Sequence, residues 1–283
     1  MRRPLALYDI DKTLIDQNYD PNSPDFPQSV AALQAAGWTV GLNSDTPALR
    51  IARLAQEWGC EGPIVAEFGN AVYLSPEAVL SEPECDPRWS FVPGAKSRIS
   101  EITGRLLEEL RRRYSNYYTI IGNPMDILGL MRTGSLDRPV IVVNSLRRYS
   151  LSFFVRVPGR EPVRTRGLLA ELATLAHECF CAYNGSTQEP LIDINHEYGV
   201  VIVHFPRACK PMAMPFLQQH FHPIVMVGDS SNDLLGSGVT QLAVGNAYPE
   251  YKDKCSFVAQ QPLTLGAIEC AQYILRALTP PRT

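Results

Sequence analysis

The chain has 283 residues, 45% of them apolar and 19% charged, with a formal charge of −3 and a pI near 6.0. That composition excludes wholesale disorder, a collagen-like fibre and a small disulfide-stapled scaffold, and its weak acidity gives no field favouring nucleic acid or an anionic membrane. No run approaches the roughly 18 apolar residues of a bilayer span, and the seven cysteines form no Cys-x-x-Cys pair. Reduced thiols in a cytoplasmic protein without structural zinc are therefore expected.

At about 150 residues per domain the length predicts roughly two domains. Pro4-Leu5-Ala6-Leu7-Tyr8 is a short apolar run, and it meets Asp9 too soon for a signal-peptide core, so it reads as a buried parallel strand. Residues 27–36 follow a helical pattern that stops at Gly37, Trp38 to Leu42 reads as a strand, Pro47 opens a helix that Gly59 ends, and Pro63 to Glu67 reads as a third strand. That alternation suits right-handed parallel crossovers.

From about Ser75 to Phe205 the rhythm changes. Residues 96–113 predict an amphipathic helix, and Arg164 to Glu178 a second. Tyr117–Ile121, Val140–Val143, Leu151–Val155 and Cys179–Tyr183 read as strands. An α/β pattern then returns, with a helix from Lys210 to His220, strands at Ile224–Val227 and Gln241–Val244, and a last helix over about 263–278. The expected architecture is one α/β domain built from both ends of the chain, residues 1–75 and 206–283, with an α+β domain, residues 76–205, inserted.

Asp9-Ile10-Asp11-Lys12-Thr13 follows the first strand. Ligands of open α/β sheets bind beyond the carboxyl ends of strands, and two carboxylates two residues apart there differ in reach. One can attack phosphorus while the other manages protons. Alone, Asp-x-Asp reads as an acidic turn. The buried strand Val225-Met226-Val227, however, delivers Gly228-Asp229-Ser230-Ser231-Asn232-Asp233 in the same way. Two acidic strand ends in one sheet repel each other unless a cation joins them, and carboxylate oxygens are the ligands Mg²⁺ takes.

Together, Asp9-x-Asp11-x-Thr13 and Gly228-Asp229-Ser230-Ser231-Asn232-Asp233 resemble motifs of the haloacid dehalogenase superfamily of phosphoryl-transfer enzymes. Ser44 is similar to that superfamily's phosphate-binding Ser/Thr, and Lys210 to its lysine at a helix start. Glu67-Phe68-Gly69-Asn70-Ala71 and Val244-Gly245-Asn246-Ala247 are similar to segments of the sugar-phosphatase branch, whose large α/β cap matches the insertion in position and size.

The resemblance implies a Rossmann-like three-layer core with a cap. It implies Asp9 as nucleophile, Asp11 as acid and base, Thr13, Ser44, Lys210 and Asn232 as phosphate-binding residues, and Mg²⁺ held by Asp9, the Asp11 carbonyl, Asp229 and Asp233. The substrate class implied is a small phosphorylated metabolite, a sugar phosphate or sugar–glycerate phosphate; no nucleic acid or membrane partner is expected from the composition, and the sequence does not set the oligomeric state. A phosphomutase or a non-catalytic sugar-phosphate-binding protein are the alternatives.

Two positions depart from the branch. Lys12 stands where glycine is usual, and Thr46 where an arginine is frequent; the missing arginine either weakens phosphate binding or is replaced from the inserted domain. Asp11-Lys12-Thr13 is also similar to the start of the ion-pump ATPase signature, but Ile15 stands where that signature needs threonine. Among the remaining basic residues, Arg111-Arg112-Arg113 reads as a solvated helix end, whereas Arg147, Arg148, Arg156, Arg160, Arg164 and Arg166 are candidates for a second substrate anion.

Overall fold

The computed structural model describes residues 2–17, 19–134, 136–158, 166–184, 189–196 and 198–279. The elements in chain order are β1 (Arg3–Tyr8), α1 (Phe26–Ala35), β2 (Thr39–Asn43), α2 (Ala48–Trp58), β3 (Ile64–Ala66), β4 (Ala71–Tyr73), α3 (Pro76–Ser81) and β5 (Trp89–Ser90). There follow α4 (Ala95–Arg113), β6 (Tyr118–Gly122), α5 (Pro124–Arg132), β7 (Val140–Asn144), β8 (Leu151–Arg156), α6 (Arg166–Asn184), β9 (Leu191–Asn195) and β10 (Val200–His204). The chain closes with α7 (Met214–His220), β11 (Phe221–Gly228), β12 (Val239–Ala243), α8 (Pro249–Lys252), β13 (Phe257–Val258) and α9 (Leu263–Tyr273).

The described chain divides into two units, Met1–Phe91 with Cys209–Thr283, and Val92–Ala208. The first holds an eight-stranded sheet in the order β13-β12-β11-β1-β2-β3-β4-β5. Its six strands from β13 to β3 are parallel, and β4 and β5 are added antiparallel at one edge. Those two strands place residues 76–91 with the terminal segments. The expected boundary at 75/76 moves to 91/92, and the one at 205/206 to 208/209.

Side chains alternate across the sheet. On one face Leu5 and Leu7 of β1 pack with Ile224 and Met226 of β11 and with Met214 and Leu217 of α7. On the other, Tyr8 meets Phe26 of α1 edge-on at 5.2 Å between ring centres, and Phe26 meets Trp58 of α2 at 5.8 Å. Helices on both faces explain why the central strands are continuous apolar runs, each buried Leu or Ile contributing about 1.5–3 kcal/mol. The helix stops read from the sequence are glycines with left-handed backbone, Gly37 (φ 91°) and Gly59 (φ 72°).

The second unit has a five-stranded sheet in the order β6-β7-β8-β10-β9, antiparallel except for β6 and β7. The strand expected at Cys179–Tyr183 is helix instead, the end of α6. Its apolar residues continue a helical period, with Leu169, Leu172, Ala173, Ala176, Cys179 and Phe180 all buried, and that stripe overrides the local β pattern. The expected start of α6 at Arg164, like Arg160, lies outside the described residues. The helix expected from Lys210 is a 3-10 turn, Lys210–Ala213, followed by α7. Pro215 cannot donate the backbone bond that one continuous α-helix from Lys210 needs at that position.

Candidate active site

The chain steps outward from β1 to β3 on one side of the sheet and from β11 to β13 on the other. Strand order therefore reverses between β1 and β11, the place where the carboxyl ends of an open α/β sheet leave a crevice. The pairing of Tyr8 with Val227 sets the two acidic strand ends side by side, and the Asp9 N–H donates to the Val227 carbonyl at 2.9 Å. Ser44 leaves the end of β2 next to them.

Asp9, Asp229 and Asp233 are buried, and each offers a carboxylate oxygen within 4.8 Å of the others. The Lys210 ammonium, only 5% exposed, donates to Asp9 Oδ1 at 2.5 Å and Asp233 Oδ1 at 2.6 Å. Three carboxylates against one ammonium leave a formal excess of two negative charges. Burial pushes Asp9 well above the usual carboxylate range, and Lys210 opposes this while the neighbouring aspartates add to it. Burial and Asp233 push Asp229 up to about 7. For Lys210, burial is outweighed by the two carboxylates it touches, and its proton is held more tightly than usual. A hard divalent cation fits this donor set and its charge deficit.

The three aspartates are not equivalent. Asp233 spends Oδ1 on Lys210 and Oδ2 on the backbone N–H groups of Asp229 and Ser230, at 3.0 and 3.2 Å. The Ser230 side chain in turn caps the Asp233 turn. Asp233 therefore stands behind Asp229 and holds it. A Cβ on Gly228 would lie 2.3 Å from Asp233 Oδ2, so glycine is what lets this carboxylate fold back.

Thr13, fully buried, donates to Asp9 Oδ2 at 3.3 Å. Asp11 lies apart from the cluster of three, its carboxylate turned to the hydroxyls of Ser44 and Thr46, both 3.4 Å from Oδ2. Burial raises its pKa, and Arg50 is the strongest opposing charge. Lys12 adopts the left-handed conformation (φ 62°) that glycine favours, and its carbonyl accepts from Asn246 Nδ2 at 2.7 Å. Asn246 Oδ1 also accepts from the Leu263 N–H at 2.8 Å, so this side chain ties the turn after Asp9 to the start of α9. Asn232 is exposed on the turn after Asp229.

Thr46 on Asp11 and the part played by Gly69 were not legible from residue type. Gly69 (φ 85°) has the 209–210 backbone against it, where a Cβ would lie 2.5 Å from the Cys209 carbonyl oxygen and 2.8 Å from Lys210 Cα. Its signal was present in the Glu67-Phe68-Gly69-Asn70-Ala71 segment, but only the fold shows that this segment is the seat of Lys210.

Neither a family sequence model nor a curated protein sequence matches the chain. Solved structures do. The fold is similar to a haloacid dehalogenase-like hydrolase from Bacteroides thetaiotaomicron, with a TM-score of 0.66 and 16% identity over 96% of this chain and 100% of that one. It is also similar to a subclass IIB sugar phosphatase of the same superfamily, with a TM-score of 0.54 and 11% identity over 98% of this chain and 100% of that one. The sucrose-phosphatase of Synechocystis sp. PCC6803, solved with sucrose and phosphate, matches with a TM-score of 0.50 and 18% identity over 96% and 98%. At such identities the likeness establishes a shared fold, that of the superfamily which the motifs resemble.

Proposed function

We propose that the chain is a Mg²⁺-dependent phosphatase of the haloacid dehalogenase superfamily, hydrolysing a small phosphorylated metabolite, a sugar phosphate or sugar–glycerate phosphate. The observation that carries this reading is the Lys210 ammonium wedged between Asp9 and Asp233 beside Asp229, at the reversal of strand order. A purely structural ion pair has no use for two further buried carboxylates. A site for a dianionic ester and a cation has use for all of them.

In this reading the Asp9 carboxylate attacks phosphorus, the ester P–O bond breaks, and the departing oxygen takes a proton from Asp11. Water then attacks the aspartyl-phosphate, giving its proton to Asp11 and releasing inorganic phosphate and the Asp9 carboxylate. Lys210 opposes charge on the transferring group, while Thr13 and Ser44 hold its oxygens. The Asp9 and Asp229 carboxylates and the Asp11 carbonyl would hold Mg²⁺, with Asp233 bracing Asp229, and the ion would supply further positive charge there. The raised proton affinity of Asp11 suits a group that must be protonated when the ester bond breaks. We assign substrate selection to the inserted unit, residues 92–208.

The test is phosphate release from a panel of sugar phosphates, a phosphoglycerate and an aryl phosphate, with Mg²⁺ or chelator, for wild type and Asp9→Asn. Metal-dependent turnover that disappears in Asp9→Asn, with thermal unfolding unchanged or raised, is expected. Activity retained by Asp9→Asn overturns the mechanism. No release, but an isomerised sugar phosphate on adding a sugar bisphosphate, identifies a mutase.

A further inference from the structure

Gln241 is a buried amide on a sheet face that is otherwise apolar. On β12 it pairs with Met226 of β11 and stands two residues after Val239, and both of those side chains pack in the cluster around Leu5 and Leu7. Burying an amide there is costly unless its polar atoms are matched, and all of them are. Gln241 Nε2 donates to the Asp233 carbonyl at 3.2 Å and to the Tyr251 hydroxyl at 3.3 Å, while Oε1 accepts from the Leu235 N–H at 3.0 Å. A carbonyl can only accept and an N–H only donate, which sets the orientation of the amide. Tyr251 of α8, fully buried, donates its own hydroxyl proton to the Leu242 carbonyl at 3.3 Å.

What the amide holds is the acidic turn. Parallel neighbours are commonly joined through an α-helix, whereas β11 and β12 are joined by residues 229–238, whose one helical element is the 3-10 turn Ser231–Asp233. Beyond it the chain passes Gly236 and Gly238, both left-handed (φ 90° and 80°), and enters β12 directly. In a longer helix the Asp233 carbonyl and the Leu235 N–H would be bonded within the helix itself. Here Gln241 takes both. The same turn carries Asp229, whose N–H donates to Asp233 Oδ2 at 3.0 Å and whose carbonyl accepts from the Tyr248 N–H at 2.8 Å. Resting on the cation site of the reading above, we infer that Gln241, braced by Tyr251, is a positioning residue. It stands in for the missing helix and, acting through the backbone of the turn, holds the Asp229 and Asp233 carboxylates at the spacing a divalent cation needs.

The test is a titration with Mn²⁺ alone, an ion that takes the same octahedral oxygen sites as Mg²⁺, with the free ion counted by electron paramagnetic resonance. Gln241→Met keeps the side-chain length and removes the amide, and its Kd should rise by about tenfold or more, as when a group behind a metal ligand is lost. Gln241→Asn, one methylene short of the turn, should behave alike. Tyr251→Phe should raise Kd less, and adding it to Gln241→Met should change little more, because the hydroxyl acts through the amide. Val239→Ala, a truncation on the same strand, should lower the thermal midpoint but leave Kd within about twofold. In phosphate release, Gln241→Met should need correspondingly more Mg²⁺ for half-maximal rate, with the substrate KM at saturating Mg²⁺ changed less than about twofold. An unchanged Kd in Gln241→Met, or in Gln241→Asn should the first variant fail to fold, overturns the inference, and metal-dependent turnover then leaves the phosphatase reading standing. An equal rise in Val239→Ala also overturns it, since general loosening would suffice. Gln241-dependent Mn²⁺ binding without phosphate release from any substrate leaves the inference standing while the phosphatase reading falls. If wild type binds no Mn²⁺ the inference falls, and phosphate release reports separately on the reading.

Discussion

Replacing Lys210 by methionine keeps most of the side-chain volume and removes the ammonium that joins Asp9 to Asp233. Both bonds are short, 2.5 and 2.6 Å, and all three side chains are no more than 6% exposed. Two charge-assisted hydrogen bonds at about 1.5–3 kcal/mol each, or one broken buried ion pair at about 3–5 kcal/mol, put the loss near 3–5 kcal/mol at pH 8 without Mg²⁺. The sign with pH follows from proton affinity. Burial already raises Asp9 above its unfolded value, and Lys210 is the main influence lowering it; it lowers Asp229 too. Without the ammonium both rise further, so the folded state binds more protons than the unfolded state above the ordinary carboxylate range. Stability supplied by protonation is full below that range and lost as pH rises through the folded value. The deficit of Lys210→Met should therefore be largest at pH 8 and shrink towards pH 5, and Mg²⁺ should restore part of it by binding the folded state. Urea unfolding of both proteins at several pH values, with and without Mg²⁺, measures this. A deficit under about 1 kcal/mol at pH 8, or one that grows on acidification, would refute the charge argument. Phosphate release should fall by about 10²-fold or more in the same variant.

Gly69→Ala should lower both stability and activity, because the added Cβ meets the backbone that presents Lys210 and the residue has φ 85°. A left-handed alanine costs about 1–2 kcal/mol before any clash, and a variant as stable and active as wild type would contradict the close approach. Tyr8→Phe should be neutral or stabilise by about 1 kcal/mol, since the Tyr8 hydroxyl is buried without a hydrogen-bond partner among the described residues; a loss above 1 kcal/mol in urea unfolding would reveal a bond to that hydroxyl. Phe26→Ala should cost about 3–5 kcal/mol, because Phe26 is 1% exposed between the rings of Tyr8 and Trp58. Thermal unfolding of the variant checks it, and a loss near 1 kcal/mol would mean that this cluster collapses freely.

The parallel core was legible because its strands are buried on both faces and end abruptly in acidic residues, as Leu5–Tyr8 before Asp9 and Val225–Val227 before Asp229 do. Glycine ends such as Gly37 and Gly59 carry a conformational signal that residue type alone conveys. The inserted unit was harder. Nothing local distinguishes Cys179–Tyr183 from a strand, and only the stripe running back to Leu169 makes it helix. The pattern of β9 is obscured because Leu191-Ile192-Asp193-Ile194-Asn195 mixes polar residues into a short run, whereas β10, Val200–His204, is a plain buried apolar run that the reading did not include. Among the candidate site residues, Asp9, Asp11, Ser44, Lys210 and Asp229 could be singled out by motif. The bracing part of Asp233 arises from side-chain geometry across a turn, which no spacing rule encodes.

The adjacency of β1 and β11 has a consequence for biosynthesis. β1 leaves the ribosome well before the strand on one of its sides, residues 221–228, which emerges only after the whole of 92–208. Until then the central strand of the core has one open edge, and Asp9 has neither Lys210 nor Asp229 beside it. Residues 92–208 have their own sheet available during that interval, so the order of synthesis favours their folding first. The concentrated negative charge is thus assembled last, when the lysine that tempers it arrives on the same late stretch of chain.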